Sequence, residues 1–252
     1  MLGTLGWTQA AAPAAPCADL NTIIAGIEQA QVENRAHFRP YIVTRDYKLY
    51  KEDVQRPTSE VVADVSFQPP DQKQYQIKRS SGSGSGEKIV RKVLDRETEI
   101  TRDAGDVELS RKNYDFDLLR TEQLEGSPVY VLQLRPKRED KSLIKGVAYI
   151  DTNNYRIRRI VGHPAKNPSW LVKDLQLTLT FTEVKGMWLQ TASQAVANVR
   201  FVGKHIFTSQ DVSVRTAEQV AQKSAPLRPA ARRLRPANTP ASAIGSGVFL
   251  PR

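Results

Sequence analysis

From Leu175 to Thr182 apolar and polar residues alternate strictly, Leu-Gln-Leu-Thr-Leu-Thr-Phe-Thr. Successive strand residues point to opposite faces of a sheet, so Leu175, Leu177, Leu179 and Phe181 share one face and Gln176, Thr178, Thr180 and Thr182 the other. The same period runs through Tyr41, Val43, Tyr47 and Leu49, and through Val61, Ala63, Val65 and Phe67. A chain that repeats this pattern builds an antiparallel sheet with one apolar face, which another layer must cover.

Two segments have the 3.6-residue period that such a cover requires. Leu20, Ile23, Ile24, Ile27, Ala30 and Asn34 form a stripe along a helix predicted over 19–38, with Asp19 placed to cap it. Ile89, Val90, Val93, Leu94, Glu97 and Ile100 mark the edge of a second helix over 87–102, fed by the flexible loop Ser80-Ser-Gly-Ser-Gly-Ser-Gly86. Turns are expected at Pro69-Pro70-Asp71, Glu125-Gly126, Thr152-Asn-Asn154 and Lys185-Gly186. The elements sum to an α+β, mainly β fold: about ten antiparallel strands and two or three helices, with short connections.

Both ends of the 252-residue chain lack periodicity. Residues 1–16 combine a short Leu/Trp piece with an Ala/Pro run and match a signal-peptide remnant or a linker. Residues 216–252 are rich in Pro, Ala and Arg and read as a disordered basic tail. The body is expected over 17–215. Of the net charge of +10, about half lies in that tail, where six cations face the lone Glu218. In the body charges of both signs intermix, which argues against a nucleic-acid surface.

Candidate chemistry is sparse. Cys17 is the only cysteine, and His37, His163 and His205 have no second ligand at metal-binding spacing, so no metal site is expected. Gly82, Gly84 and Gly86 miss the dinucleotide fingerprint because its third glycine would fall on Glu87. Asp151-Thr-Asn-Asn154 is ordinary turn chemistry, and no serine lies in a nucleophile elbow. The residues assemble no nucleophile, base and oxyanion set, so neither an enzyme nor a cofactor is predicted.

Three segments carry a family resemblance. Gly126-Ser-Pro-Val-Tyr-Val-Leu-Gln-Leu-Arg-Pro-Lys137, Gly146-Val-Ala-Tyr-Ile-Asp-Thr-Asn-Asn-Tyr-Arg-Ile-Arg-Arg-Ile160 and Leu177-Thr-Leu-Thr-Phe-Thr-Glu-Val-Lys-Gly-Met-Trp-Leu-Gln190 resemble, in order and spacing, motifs of the bacterial outer-membrane lipoprotein-sorting family, the LolA/LolB-like half-barrels. The third departs from the family's usual ending at Leu189-Gln190. The resemblance implies a curved half-barrel with helices across its concave side. It also implies a periplasmic, monomeric, non-catalytic carrier for acyl chains of lipoproteins or other lipids, with inner- and outer-membrane proteins as partners. Alternation then places Val61, Ala63, Val65, Phe67, Leu175, Leu177, Leu179, Phe181 and Trp188 on the inward face as lipid-cavity candidates. A periplasmic sensor or interaction module, binding a peptide or partner protein on the concave face, is the alternative.

Overall fold

The chain opens on a helix start dictated by one side chain. Asp19 accepts hydrogen bonds from the backbone N–H of Asn21 (2.9 Å) and Thr22 (3.1 Å) and from the Thr22 hydroxyl (2.7 Å). These satisfy donors that a helix N-terminus leaves free, and they hold the Asp19 carboxyl below its usual range, the Thr22 hydroxyl contributing most. Helix α1 follows as Leu20–Ala36. The structure, a computed structural model, describes residues 18–52, 55–201 and 203–216. The expectations for residues 1–17, Cys17 among them, and for the tail from 217 lie outside these residues.

Ten strands form one antiparallel sheet: β1 Tyr41–Lys51, β2 Ser59–Gln68, β3 Gln72–Gly82, β4 Tyr114–Leu124, β5 Ser127–Pro136, β6 Ile144–Asp151, β7 Ile157–Pro164, β8 Val172–Val184, β9 Met187–Val199 and β10 Gly203–Thr216. Helix α2, Gly84–Arg102, and a 3-10 turn, Ala104–Asp106, lie between β3 and β4. Their spatial order is β3-β2-β1-β10-β9-β8-β7-β6-β5-β4, so the pairing of the first strand with the last joins the two parts. With β3 and β4 left as edges, the sheet stays an open, curved half-barrel. The turns at Glu125-Gly126 and Lys185-Gly186 both have φ near +50° and then near +80°, the two positive values that match the twist of a tight hairpin.

The inward face carries two separate apolar clusters. Ile23, Ile24 and Ile27 of α1 pack on Phe116, Tyr130, Leu132, Leu134, Ala148 and Ile150, at the β4–β7 side. Val90 and Leu94 of α2 pack on Tyr47, Leu49, Val61, Ala63, Val65 and Phe207, at the β1–β2 side. Each helix thus covers its own part of the sheet.

The glycine-serine segment is not the flexible loop expected from composition. Strand β3 continues through Gly82 and α2 begins at Gly84 rather than at 87. A Cβ on Gly82, whose φ is +89°, would lie 2.2 Å from the Thr58 carbonyl oxygen, and one on Gly86 would lie 2.2 Å from Ser59 Cβ. Buried Ser59 shares a hydroxyl hydrogen bond with Ser83 (2.8 Å), and Ser83 N–H donates to Thr58 O (3.2 Å). These glycines serve close approach, which seats the start of α2 on the β1–β2 connection. Helix α1 has a counterpart, since a Cβ on Gly26 would meet the Tyr155 ring at 2.4 Å.

Accordingly, Gly86→Val costs about 1–3 kcal/mol because the Ser59 backbone and Cβ must shift. Gly84→Ala, where an added Cβ meets nothing within 4 Å, leaves stability equal or raises it by up to about 1 kcal/mol. Urea unfolding of the two variants checks this; equal midpoints would mean that α2 is loosely seated.

Candidate functional site

Between the two clusters the sheet splits. Strand β10 pairs with β9 only from Gly203↔Val199 to Gln210↔Ala192, and beyond that point β10 pairs with β1 alone. The start of β9 is left with one free edge, where backbone groups need other partners. Asn34, the polar end of the α1 stripe, supplies them: its Nδ2 donates to Trp188 O and its Oδ1 accepts from Trp188 N–H, both at 2.8 Å. The Arg45 guanidinium donates to Gln190 O (3.3 Å).

A cleft of about 350 Å³ lies over this split, between α1 and the end of α2. One wall is aromatic. Tyr41 stacks on Phe67 at 5.3 Å between ring centres, and Phe38 meets Phe67 edge-on at 5.3 Å. Tyr155, Ile157, Phe181, Trp188, Leu189 and Gln190 line the cleft from the β7–β9 side, and Ala30, Ile100, Ala104 and Val107 from the helices and the turn after α2. Trp188 is fixed by donating from its indole to Ile157 O (2.7 Å), and the Arg156 guanidinium sits 5.5 Å from its ring centre. Burial pushes the Tyr41 phenol up to about 12, so this wall is uncharged at neutral pH.

Beside Leu189 and Gln190 a smaller hollow of about 160 Å³ holds a charge cluster. Buried Arg45 reaches Asp211 at 2.5 Å and Glu97 at 3.0 Å, and Lys73 stands 3.7 Å from Glu97. Burial opposes the Arg45 charge, but Glu97 and Asp211 outweigh it and raise its pKa. Burial also raises Asp211, against the pull of Arg45, and lowers Lys73, against the pull of Glu97. Two cations and two carboxylates make the cluster close to neutral. It spans β1, β3, β10 and α2, and so ties the second helix to the split.

Of the nine residues read as cavity candidates, three line the cleft and six lie elsewhere. Phe67, Phe181 and Trp188 line the cleft. Val61, Ala63 and Val65 are packed beneath α2, and Leu177 and Leu179 pack against the α1 cluster. Leu175 is half-buried opposite Ala197 on β9. Phe38, Tyr41, Tyr155 and the Arg45 cluster were not among the candidates. Arg45 had a signal, being a charge in phase with Val43 and Tyr47 on an apolar strand face. Asp151 makes a turn: its carboxylate accepts from Asn153 N–H (2.9 Å) and from Arg158 (2.8 Å). Among the described residues no group of three or more His, Cys, Asp or Glu is placed to hold a metal, and no helix is long and apolar enough to cross a membrane.

No family model and no curated protein matches the chain. Among solved structures it is similar to a DUF1329 family protein from Desulfovibrio piger (13% identity, 77% of this chain and 93% of that one, TM-score 0.40). It is also similar to an outer membrane lipoprotein-sorting protein domain from Vibrio parahaemolyticus (16%, 77% and 93%, TM-score 0.39). A third is a LolA superfamily protein from Nitrosomonas europaea (11%, 78% and 92%, TM-score 0.36). Likenesses this distant do not fix what the chain binds.

Removing the central cation tests the site's electrostatics. Arg45→Met leaves Asp211 and Glu97 without their shared partner and costs about 3–5 kcal/mol at neutral pH. A carboxylate with a raised folded-state pKa favours the folded state as pH falls, and that contribution is lost as pH rises through the folded pKa. Burial already raises Asp211, and losing Arg45 raises it further. The deficit therefore narrows as the solution is acidified into the range where Asp211 takes a proton. Urea unfolding of both proteins across the acid range checks it, and a deficit that widens on acidification would contradict it.

Proposed function

We propose that the chain is a non-catalytic carrier or binding module of an exported, periplasmic compartment. In this reading it holds one acyl chain of a lipoprotein or other lipid in the cleft between α1 and α2. The observation that carries this reading is the apolar lining of one cleft by the Phe38–Tyr41–Phe67 ring cluster together with Ile157, Phe181 and Trp188. The volume lies within the roughly 300–1,000 Å³ of small-molecule sites. Each methylene taken from water contributes about 0.8 kcal/mol, so even part of an acyl chain gains several kcal/mol. The cleft is open at its rim, where Arg35 pairs with Glu108 and Arg156 flanks Trp188, so a polar end group can stay in water while the chain is buried.

Release and uptake need movement at the rim. The start of α2 is pinned by Gly82 and Gly86, so movement falls to its other end, near Ile100 and Ala104, rather than to a swing about the glycine segment.

Two variants test the assignment and keep the buried residues of both cores, Phe181 itself packing only at the edge of the α1 cluster. Ala104→Trp fills the cleft from its rim, and Phe181→Glu puts a charge on its wall. Native mass spectrometry of the full chain is expected to show bound acyl species in the parent protein. Displacement of a fluorescent fatty acid is expected to weaken by about tenfold or more in each variant, as loss of one to two kcal/mol of apolar contact predicts. A clean unliganded mass, with no probe displacement in a folded protein, would overturn the lipid reading and leave the groove as a peptide or protein site.

A further inference from the structure

At the other end of the sheet, three large apolar side chains face solvent. Trp170 is 71% exposed and Phe201 94%, and Leu171 stands beside them at 37%. The first and third belong to the β7–β8 connection, the second to the β9–β10 connection. The two connections are held together, because Arg200 N–H donates to Leu171 O (2.8 Å) and Val172 pairs with Val199. Ser169 fixes the first by accepting from Leu171 N–H (3.2 Å) at its hydroxyl and from Val172 N–H (3.2 Å) at its carbonyl. Phe201 has φ of +67°, a left-handed conformation that costs free energy for a bulky residue. The fold therefore holds a strained aromatic outward, where it buries nothing.

Charge at this end has one dominant sign. Lys166, Lys173, Arg200 and Lys204 are all exposed, and among the described residues none of them makes an ion pair. Among the described residues the carboxylates here are Asp174, engaged by Asn198 (3.2 Å), and Glu52, which lies against Gly203. Exposed aromatics ringed by lysine and arginine have the composition of a membrane-interface anchor: the rings sit at headgroup depth and the cations face anionic lipid.

We infer that the Trp170–Phe201 tip docks the protein on an anionic phospholipid bilayer. The inference is independent of the acyl-chain reading. The tip lies about 30 Å along β8 from Phe181, nine residues at about 3.3 Å each, so a docked molecule holds its cleft away from the bilayer and open to the aqueous space. A membrane fits better than a second copy of the chain, since two such tips would bring eight lysine and arginine charges together against four carboxylates among the described residues.

The test is flotation of the full chain with vesicles of phosphatidylglycerol and phosphatidylethanolamine, 1:3 in about 0.1 M salt, against vesicles of phosphatidylcholine. The parent protein floats with the first and not the second. Trp170→Ala combined with Phe201→Ala weakens binding about tenfold or more, and Lys166→Glu combined with Arg200→Glu weakens it comparably. Acyl chains brominated near the headgroup quench fluorescence in the parent protein, and most of that quenching is lost in Trp170→Ala. Both residues are exposed, so unchanged melting curves certify the fold. Flotation retained in the aromatic double variant would assign binding to the basic segment beyond 216 and overturn the inference. Absence of flotation in the parent protein would also overturn it, and a dimer mass abolished by the double variant would then give the tip to a second copy.

Discussion

Everything in the candidate site follows from the point where β10 leaves β9 and stays with β1. Past Gln210↔Ala192 the last strand pairs on one side only, and the concave face there has no continuous ladder on which aliphatic side chains could close a single core. Arg45 spans the gap, with Asp211 on β10, Glu97 on α2 and the Gln190 carbonyl on β9 as its partners. A buried charge is tolerated only when paired and hydrogen-bonded, and this one is bound on three sides. Its presence keeps the α1 cluster and the α2 cluster apart. The cleft is the space between them.

That arrangement separates stability from binding. The two clusters are filled with branched and aromatic side chains under their own helices, and they hold the half-barrel together. The cleft walls are drawn from residues at the margins of these clusters, such as Phe67 at the end of β2 and Phe181 near the end of β8. A ligand can therefore enter without unpacking either core. The tip at Trp170 and Phe201 adds a third region, which contributes to neither core nor cleft. One sheet thus presents a packed middle, an apolar groove toward one end and an aromatic, basic surface at the other.

Local pattern made most of the architecture legible. The alternation from Leu175 to Thr182 lies in β8, the Leu20–Ile27 stripe became the buried side of α1, and Asp19 caps that helix. The two glycine-containing hairpin turns fall where their residues demand positive φ. What failed did so for non-local reasons. Within β10 a bulge opposite Thr44 and Arg45 leaves Val212 unpaired and shifts the inward phase from Phe207, Ser209 and Asp211 to Val214 and Thr216, a break in alternation that only the pairing with β1 explains. Composition made residues 80–86 a loop, whereas contact with Thr58 and Ser59 made them a strand end and a helix start. Alternation identified an inward face but could not divide it into core and cleft. That division depends on where the helices lie, and only Phe67, Phe181 and Trp188 of the nine candidates fall on the cleft side.

Occupancy of the space over the split by an acyl chain, as proposed, is read directly by photolabelling. A fatty acid bearing a diazirine near its methyl end would be bound to the full chain, irradiated, and the adducts mapped by peptide mass spectrometry. Adducts are expected in segments that line the cleft, 30–41, 100–107 and 181–190. Adducts confined to the outer sheet face around Thr178 and Thr208, or to the tip around Trp170 and Phe201, would contradict that occupancy.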